Sequence, residues 1–460
     1  SISGGLSFDA LNAQPVPRHM VSSRRALSAS AIQDIEALGG TVVFTHDIGF
    51  SIVDGLSDEA AARLPSIRGV DAVSVDVTIA GEPGQGEGRM EMSGHSPADA
   101  FAYRIGLQWH MDAIGAPAAW EAGRLGSSDV TVAIIDSGLD EVHDDLVGRV
   151  DASRSRSFLP AGEVDYALSA FFGAPDYADF NGHGTHVGST VSSNGLVAAG
   201  VTDQVTLMAV KACRVDLSCS GSAIIAGILY AADSGADVAN MSLGGSFSKS
   251  EVAQAGFGDF IGFTNRTFNY ASRQGMTIVV SAGNDAVDLD RDGDSYKLYC
   301  STPATICVSA TGPAASDNFF FGPFFDINAP AVYTNFGRSG INVAAPGGNV
   351  GGLVWAACSS TELDIGPGGF LATPCTFSTN FTSGKAGTSM AAPHVSAVAA
   401  LLVEEYGRNP SRIKNRIQQT ADDLGARGTD KFYGKGFINV PQALGIDSSN
   451  PANGRGTRVR

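Results

Sequence analysis

Apolar and polar positions follow two different rhythms along the chain. Between Pro17 and Ile79, HMVSS at 19–23, TVVFTHD at 41–47, GFSIVDG at 49–55 and VDAVSVDVTI at 70–79 read as strands. Helical spacing separates them in SASAIQDIEALGG at 28–40 and SDEAAARLPSIRG at 57–69. The order is βαββαβ, which predicts a small ferredoxin-like α+β unit over 17–80. Ser57 and Asp58 cap the start of its second helix, and Gly39 and Gly40 end the first.

From about residue 106 the strand-like runs become continuously apolar: VTVAIID at 130–136, VTLMAVKA at 205–212, DVANMSLGG at 237–245, MTIVVSAGN at 276–284, ICVSATG at 306–312 and INVAAPG at 341–347. Helical runs alternate with them, after HGTH at 183–186, in SAIIAGILYAADSG at 222–235, near 249–274 and after Ser389, and a last helix pair ends at PQALG at 441–445. Such alternation predicts an α/β domain over 106–446, a mostly parallel sheet with helices on both faces. Outside these two units, residues 1–16 read as a disordered leader remnant and 447–460 as a flexible tail. Residues 81–105, rich in Gly, Pro, Glu and Ser, read as a linker where activation cleavage would fall.

Charge narrows the partners. The chain of 460 residues carries 30 basic against 47 acidic residues, net −17, with no basic cluster, which argues against nucleic acid or an anionic membrane. No apolar run reaches the roughly 18 to 20 residues of a membrane span. The 57 glycines and 17% charged residues suit a tightly wound, loop-rich α/β protein. Six cysteines fall as close pairs, Cys213 with Cys219, Cys300 with Cys307 and Cys358 with Cys375, and none has a metal-site spacing. Three disulfides are expected, and with them a secreted, extracellular or periplasmic location. The numbering opens at Ser1 without Met, so a signal peptide is expected to precede it.

The candidate chemistry lies in three stretches. Gly387-Thr388-Ser389-Met390-Ala391-Ala392-Pro393-His394 opens an apolar helix, so Ser389 would sit where unpaired N–H groups and the positive dipole end favour a developing anion. Val130 to Gly138 delivers Asp136 to the end of a buried strand, and Asn181 to Gly188 places His183 and His186 at the opening of a Gly-rich helix. A Ser hydroxyl needs a base and an orienter behind that base, and these stretches hold both. A zinc reading of His183 and His186 lacks the adjoining Glu of HExxH and a third ligand. The order Asp, His, Ser is the subtilisin arrangement of a Ser-His-Asp constellation.

DSGLD at 136–140, HGTHVGST at 183–190, NMSLGG at 240–245, SAGND at 281–285 and GTSMAAPH at 387–394 resemble the five signature blocks of the subtilisin-like serine peptidases. The resemblance covers about 106–446, and a weaker one to that family's inhibitory propeptide covers about 17–80. It implies a self-processing proenzyme, a serine endopeptidase acting on extended polypeptide through Asp136, His183 and Ser389, with its own propeptide as intramolecular inhibitor and no catalytic cofactor. It also implies that His183 is the base, which leaves His186 structural; His394, five residues into the helix of Ser389, reads from its position as a buried hydrogen-bonded histidine. Asn284 becomes the oxyanion donor; Gly221, Ser242, Leu243 and Gly244 the substrate edge; Ser281, Ala282 and Gly283 the wall of the first pocket. A monomer is expected.

Two features are calcium candidates. Asp288, Asp290, Asp292 and Asp294 form a ladder of hard oxygen ligands at alternate positions, although Tyr299 stands where an EF-hand would have Glu. Asp145 resembles a ligand of the family's strong calcium site, but the loop that would complete it, NGLVAAG, is short. Two other classes stay open at this point, a catalytically silent binding protein of the same fold and a metal-dependent hydrolase.

Overall fold

The computed structural model describes residues 16–80, 96–244, 246–248, 257–290, 295–366 and 369–446. The leader, the stretch 81–95 and the tail lie outside the described residues. In the N-terminal unit, β1 (Arg18–Ser22), α1 (Ala29–Glu36), β2 (Thr41–His46), β3 (Phe50–Asp54), α2 (Asp58–Ala61) and β4 (Ala72–Val75) build an antiparallel sheet in the order β2-β3-β1-β4. Ser28 and Ser57 cap its helices by accepting the N–H groups of Ala31 and Ala60.

The side chains of this sheet alternate between two cores. Val21 and Val53 face Leu27 and Ile35 inside the unit, whereas Met20, Phe50 and Ile52 face a second cluster that belongs to the large domain. The expected strand at 70–79 is broken. β4 ends at Val75, and β5 (Thr78–Ala80) leaves the sheet to pair with the large domain. The break falls at Asp76, whose carboxylate accepts the Ser222 N–H at 2.7 Å and the hydroxyls of Ser220 and Ser222 at 2.6 and 2.9 Å. A carboxylate with three donors at one place fixes the chain there more firmly than strand propensity can.

Residues 96–105, expected to be linker, are part of the large domain. Pro97, Ala100 and Ala102 are buried, and the Ala102 N–H bonds the Val197 carbonyl at 2.8 Å. Small apolar side chains let this segment lie close against 196–198, so composition misled at this end of the linker.

The domain continues through α3 (Trp109–Ala113), β6 (Thr131–Asp136), β7 (Arg156–Ser157), α4 (Val164–Phe172), α5 (His183–Val191), β8 (Thr206–Lys211), β9 (Ser218–Ser220), α6 (Gly221–Asp233) and β10 (Val238–Met241). It is completed by α7 (Phe257–Arg273), β11 (Thr277–Ser281), β12 (Thr305–Gly312), β13 (Ala329–Pro330), β14 (Val343–Pro346) and α8 (Thr388–Tyr406). The main sheet runs β13-β12-β11-β10-β6-β8-β7, with β14 also alongside β12. Its pairs are parallel except for the antiparallel β13. In β6, Val132 and Ile134 join the core under α8, while Ala133 and Ile135 join the one under α6 and α7. A strand buried on both faces has no polar side to show, which is why these runs read as continuously apolar.

From β6 the chain steps to β8 on one side and to β10 and β11 on the other, so β6 marks a topological switch. The carboxyl ends of β6, β10 and β11 open onto one crevice, the usual place for a site in such a sheet. The disulfides Cys213–Cys219, Cys300–Cys307 and Cys358–Cys375 pair as proximity suggested.

Three buried histidines underlie the crevice. The Trp355 N–H donates to His110 Nε2, so His110 carries its proton on Nδ1 and gives it to His394 Nε2 at 2.9 Å. His394 then donates from Nδ1 to the Met390 carbonyl at 2.8 Å. Both rings are thereby fixed as neutral tautomers that tie α3 to α8. His186 Nε2 bonds the Val354 carbonyl at 3.1 Å. Burial pushes His394 from 6.5 down to about 4 and holds His110 and His186 well below their ordinary value.

A base whose folded pKa is depressed takes up its proton first in the unfolded chain. The stability these groups contribute is therefore complete at neutral pH and is lost as pH falls from about 6.5 toward the folded values. For His394 the full loss corresponds to about 3 kcal/mol. Denaturant unfolding at pH 7.5, 6.5 and 5.5 should show stability declining step by step, and a profile flat over that range would contradict the neutral assignment.

Candidate active site

Asp136 ends β6 and is 1% exposed. Its Oδ1 accepts the Ser137 N–H at 2.7 Å and faces His183 Nδ1 at 2.7 Å, while Oδ2 is buried without a hydrogen-bond partner. His183 is the first residue of α5. Two glycines make that approach possible: Gly182 has φ of 80°, and a Cβ on Gly184 would stand 2.1 Å from the Gly138 carbonyl oxygen. His183 Nε2 is buried with no hydrogen-bond partner. His186, one turn on, bonds the Val354 carbonyl instead, so the two rings do not converge on a metal.

Ser389 is fully buried in the first turn of α8. Its hydroxyl donates to the Ser242 carbonyl at 3.1 Å, and the Ser242 hydroxyl returns a bond to the Ser389 carbonyl at 2.7 Å. The chain of bonds extends through Asn240, which donates to Ser242 Oγ, to Ser396, which donates to Asn240 Oδ1. The end of β10 and the start of α8 are thus locked together. In unliganded sites such hydroxyls commonly lie off the line to their base.

Asn284 is oriented by a residue that sequence reading did not single out. Its Oδ1 accepts the Thr388 N–H at 2.9 Å and the Thr388 hydroxyl at 3.0 Å, and Thr388 Oγ1 itself accepts the Gly283 N–H at 2.9 Å. With its oxygen so committed, Asn284 must direct Nδ2 the other way, toward Gly387, where a Cβ would stand 3.2 Å from it. The signal was present in the sequence as a hydroxyl-bearing residue between Gly387 and Ser389.

One edge of the crevice already holds a strand. β5 lies antiparallel on β9, with Thr78 opposite Ser220, Ile79 opposite Cys219 and Ala80 opposite Ser218, and the Gly221 N–H donates to the Val77 carbonyl at 2.7 Å. A Cβ on Gly221 would meet Val77 Cγ2 at 2.4 Å, so glycine is what lets this strand approach. Ile79 is fully buried, in a cluster with Ile224, Leu243 and Phe260. Ser242, Gly244, Ser281 and Ala282 are buried, and a Cβ on Gly244 would stand 3.9 Å from the Leu298 carbonyl oxygen.

The calcium candidates meet a different fate. Asp145 is fully buried and accepts the N–H groups of Leu196, Val197 and Ala198 at 2.8, 2.9 and 2.8 Å. The short loop thus supplies backbone donors at the oxygens a cation would use, and the donor set does not fit calcium at this carboxylate. Asp290 likewise accepts the Arg338 N–H and both the N–H and hydroxyl of Ser339. Asp288 accepts the Asp290 N–H at 3.1 Å, and Asp292 and Asp294 lie outside the described residues. Among the described residues, the cluster with metal-like spacing is Cys358, Glu362 and Cys375, whose cysteines form a disulfide.

Comparison with known proteins shows the family. The sequence model of the Subtilase family, peptidase S8, matches residues 127–436. Thermitase of Thermoactinomyces vulgaris is 30% identical over 345 residues, 74% of this chain and 97% of the relative. Subtilisin Savinase of Lederbergia lenta is 31% identical over 343 residues, 73% of this chain and 98% of the relative. The crystal structure of the epidermin leader peptide processing serine protease of Staphylococcus aureus superposes with a TM-score of 0.66 at 18% identity, over 95% of this chain and 100% of that one. That likeness is one of fold, and it extends over the N-terminal unit.

Asp145→Asn should destabilise the protein by roughly 2 to 4 kcal/mol, because the new amide presents donors to a cradle of donors. The loss should be the same in chelator and in excess calcium. A wild type whose melting temperature falls on chelation, beside a variant that no longer responds, would place a cation at Asp145.

Proposed function

Because the chain belongs to the subtilase family of serine peptidases, we propose that Asp136, His183 and Ser389 are its catalytic triad and that it is a secreted endopeptidase made as a self-processing proenzyme. One observation carries the reading: the chain's own strand 78–80 is bound on β9, at the start of α6, in the way an extended peptide adds to an exposed edge. A site that accepts its own backbone there accepts a substrate's, and burial of Ile79 favours an aliphatic side chain at the matching substrate position.

In the proposed reaction His183 Nε2 takes the Ser389 hydroxyl proton as Oγ attacks the scissile carbonyl. Asp136 holds the ring by Nδ1 and stabilises the imidazolium that forms. The oxyanion is met by Asn284 Nδ2 and the Ser389 N–H, with Thr388 keeping the amide aimed. His183 then gives its proton to the departing amine, and water repeats the sequence on the acyl-enzyme. The N-terminal unit acts as propeptide: Asp76 grips the start of α6, β5 fills the edge, and the Arg18 guanidinium, paired with Asp54, reaches the carbonyls of Phe158 and Leu159. Cleavage falls within 81–95, where a tethered segment is present at roughly millimolar effective concentration. The three disulfides support an exported protein.

Mass spectrometry of the purified protein tests the proposal. Wild type should separate into two fragments divided between Ala80 and Ser96 and should take up a serine-directed phosphonyl fluoride, whereas Ser389→Ala should remain whole and unlabelled. An alanine variant cut at the same bond without added peptidase would end the self-processing reading.

The oxyanion assignment has its own test. Asn284→Leu should lower kcat by roughly 10² to 10³, the magnitude established for subtilisin, itself a member of this family. Thr388→Val should lower kcat less, with KM unchanged. A loss confined to KM in either variant would remove the pair from the oxyanion role.

A further inference from the structure

Lys211 ends β8 directly opposite Asp136 in the sheet and is completely buried. Its ammonium donates to the Ser137 carbonyl at 2.7 Å and the Ala178 carbonyl at 2.8 Å, and pairs with Asp165 Oδ1 at 2.9 Å. It also lies over the Phe180 ring, 4.8 Å from its centre. Ser137 is the residue after Asp136, and its hydroxyl accepts the Gly184 N–H, next to His183, while donating to Asp179 Oδ1. Asp179 further collects the N–H groups of Asn181, Gly182 and Thr185 and the Thr185 hydroxyl. The turn that presents Asp136 and the helix start that presents His183 are therefore held by one polar assembly, with Lys211 at its base.

We propose that Asp165 and Lys211 are positioning residues for the reaction: an ion pair between α4 and the end of β8 that fixes the turn carrying Asp136 and cancels a positive charge beneath His183. This rests on the proposed roles of Asp136, His183 and Ser389. An unpaired ammonium cannot remain in a dry site at no cost, and α4 brings the acid that matches it. The neighbouring pair Arg214–Glu163, at 2.7 Å, anchors the start of the same helix. Other charges around His183 are Asp136 from β6, Asp179 from the segment before α5, Glu362, whose carboxylate crowds Gly182, and Lys385, which acts on His186. Of these groups, Asp165 is the one whose removal leaves Lys211 without a counter-charge while every contact to the Asp136 turn stays in place.

The experiment is the pH profile of kcat/KM for the mature enzyme, normalised to sites labelled by the phosphonyl fluoride. Asp165→Asn leaves the Lys211 charge uncompensated; a nearby positive charge disfavours imidazolium, so the acid limb should move to lower pH by roughly half a unit to one unit. Asp165→Glu should bring the limb back toward wild type. The double variant Lys211→Met with Asp165→Leu removes both charges and both carbonyl bonds. Its limb should match wild type while kcat falls roughly ten-fold or more at little-changed KM, as expected of a loosened turn. These outcomes stand even if the single variant does not fold. An unshifted limb in Asp165→Asn, or a double variant with wild-type kcat per labelled site, would make the pair structural only. A wild type that neither labels nor cleaves peptide would instead overturn the underlying assignment of the triad.

Discussion

A carboxylate buried at the end of a parallel strand is the constraint on which this structure turns. Asp136 is cut off from water, and an isolated charge in such a place is untenable unless donors meet it. One oxygen receives the Ser137 N–H and the His183 ring, which forces α5 to begin where it does. A helix can start there only if Gly182 takes a left-handed turn and Gly184 leaves room for Gly138. The helix that carries Ser389 is fixed independently, by the reciprocal bonds between Ser389 and Ser242. Each functional side chain therefore follows from a backbone requirement one residue away.

The N-terminal unit obeys the same economy of surfaces. A four-stranded sheet with helices on one face leaves its other face apolar, and here Met20, Phe50 and Ile52 bury that face against α6 and α7, with the rings of Phe50 and Phe263 meeting edge to face at 4.9 Å. The unit so positioned sends Asp76 to the start of α6 and β5 to the edge of β9. In the proposed proenzyme, folding help and inhibition would then share one surface, because the contacts to the large domain's helix pair are made by the same unit that lays β5 on β9.

How much of this was legible in the sequence depended on whether the signal was a pattern or a partnership. Strands buried on both faces announced themselves as apolar runs, the helices of the N-terminal unit by the cap at Ser57 and the stop at Gly39 and Gly40, and the candidate site residues by compact Gly-rich blocks. The break at Asp76 was hidden, because VDAVSVDVTI keeps its strand character through a residue whose partners lie near 220. Lys211 stood as a single charge in the run VTLMAVKA, with its partners far off at Ser137, Asp165 and Ala178, and α4 was obscured by flanking Gly and Pro. Thr388 could be read only once Asn284 had been placed beside it. Asp145 and Asp290 show a partnership of another kind: acidic residues suggested a cation, and at both the fold aims N–H groups at the carboxylate.

These cases share a problem that an acidic chain with net charge −17 must solve repeatedly, which is how to bury a carboxylate. Asp54 and Asp165 are answered by Arg18 and Lys211, and Asp179 by five N–H and O–H donors drawn from one short stretch and Ser137. At Asp145, burial pushes the carboxyl up even against three backbone donors and the nearby His143. The backbone solution needs no second charge and no ion, but it demands a loop short enough to aim successive amides at one point, and NGLVAAG is such a loop. Asp136 keeps an oxygen without a hydrogen-bond partner, and it does so next to a ring whose far nitrogen is also unsatisfied. The same deficit recurs at Asp203 and Asp430, but at Asp136 and His183 the two unsatisfied atoms belong to one hydrogen-bonded pair, which suits the proposed triad to hold charge while a reaction passes through it.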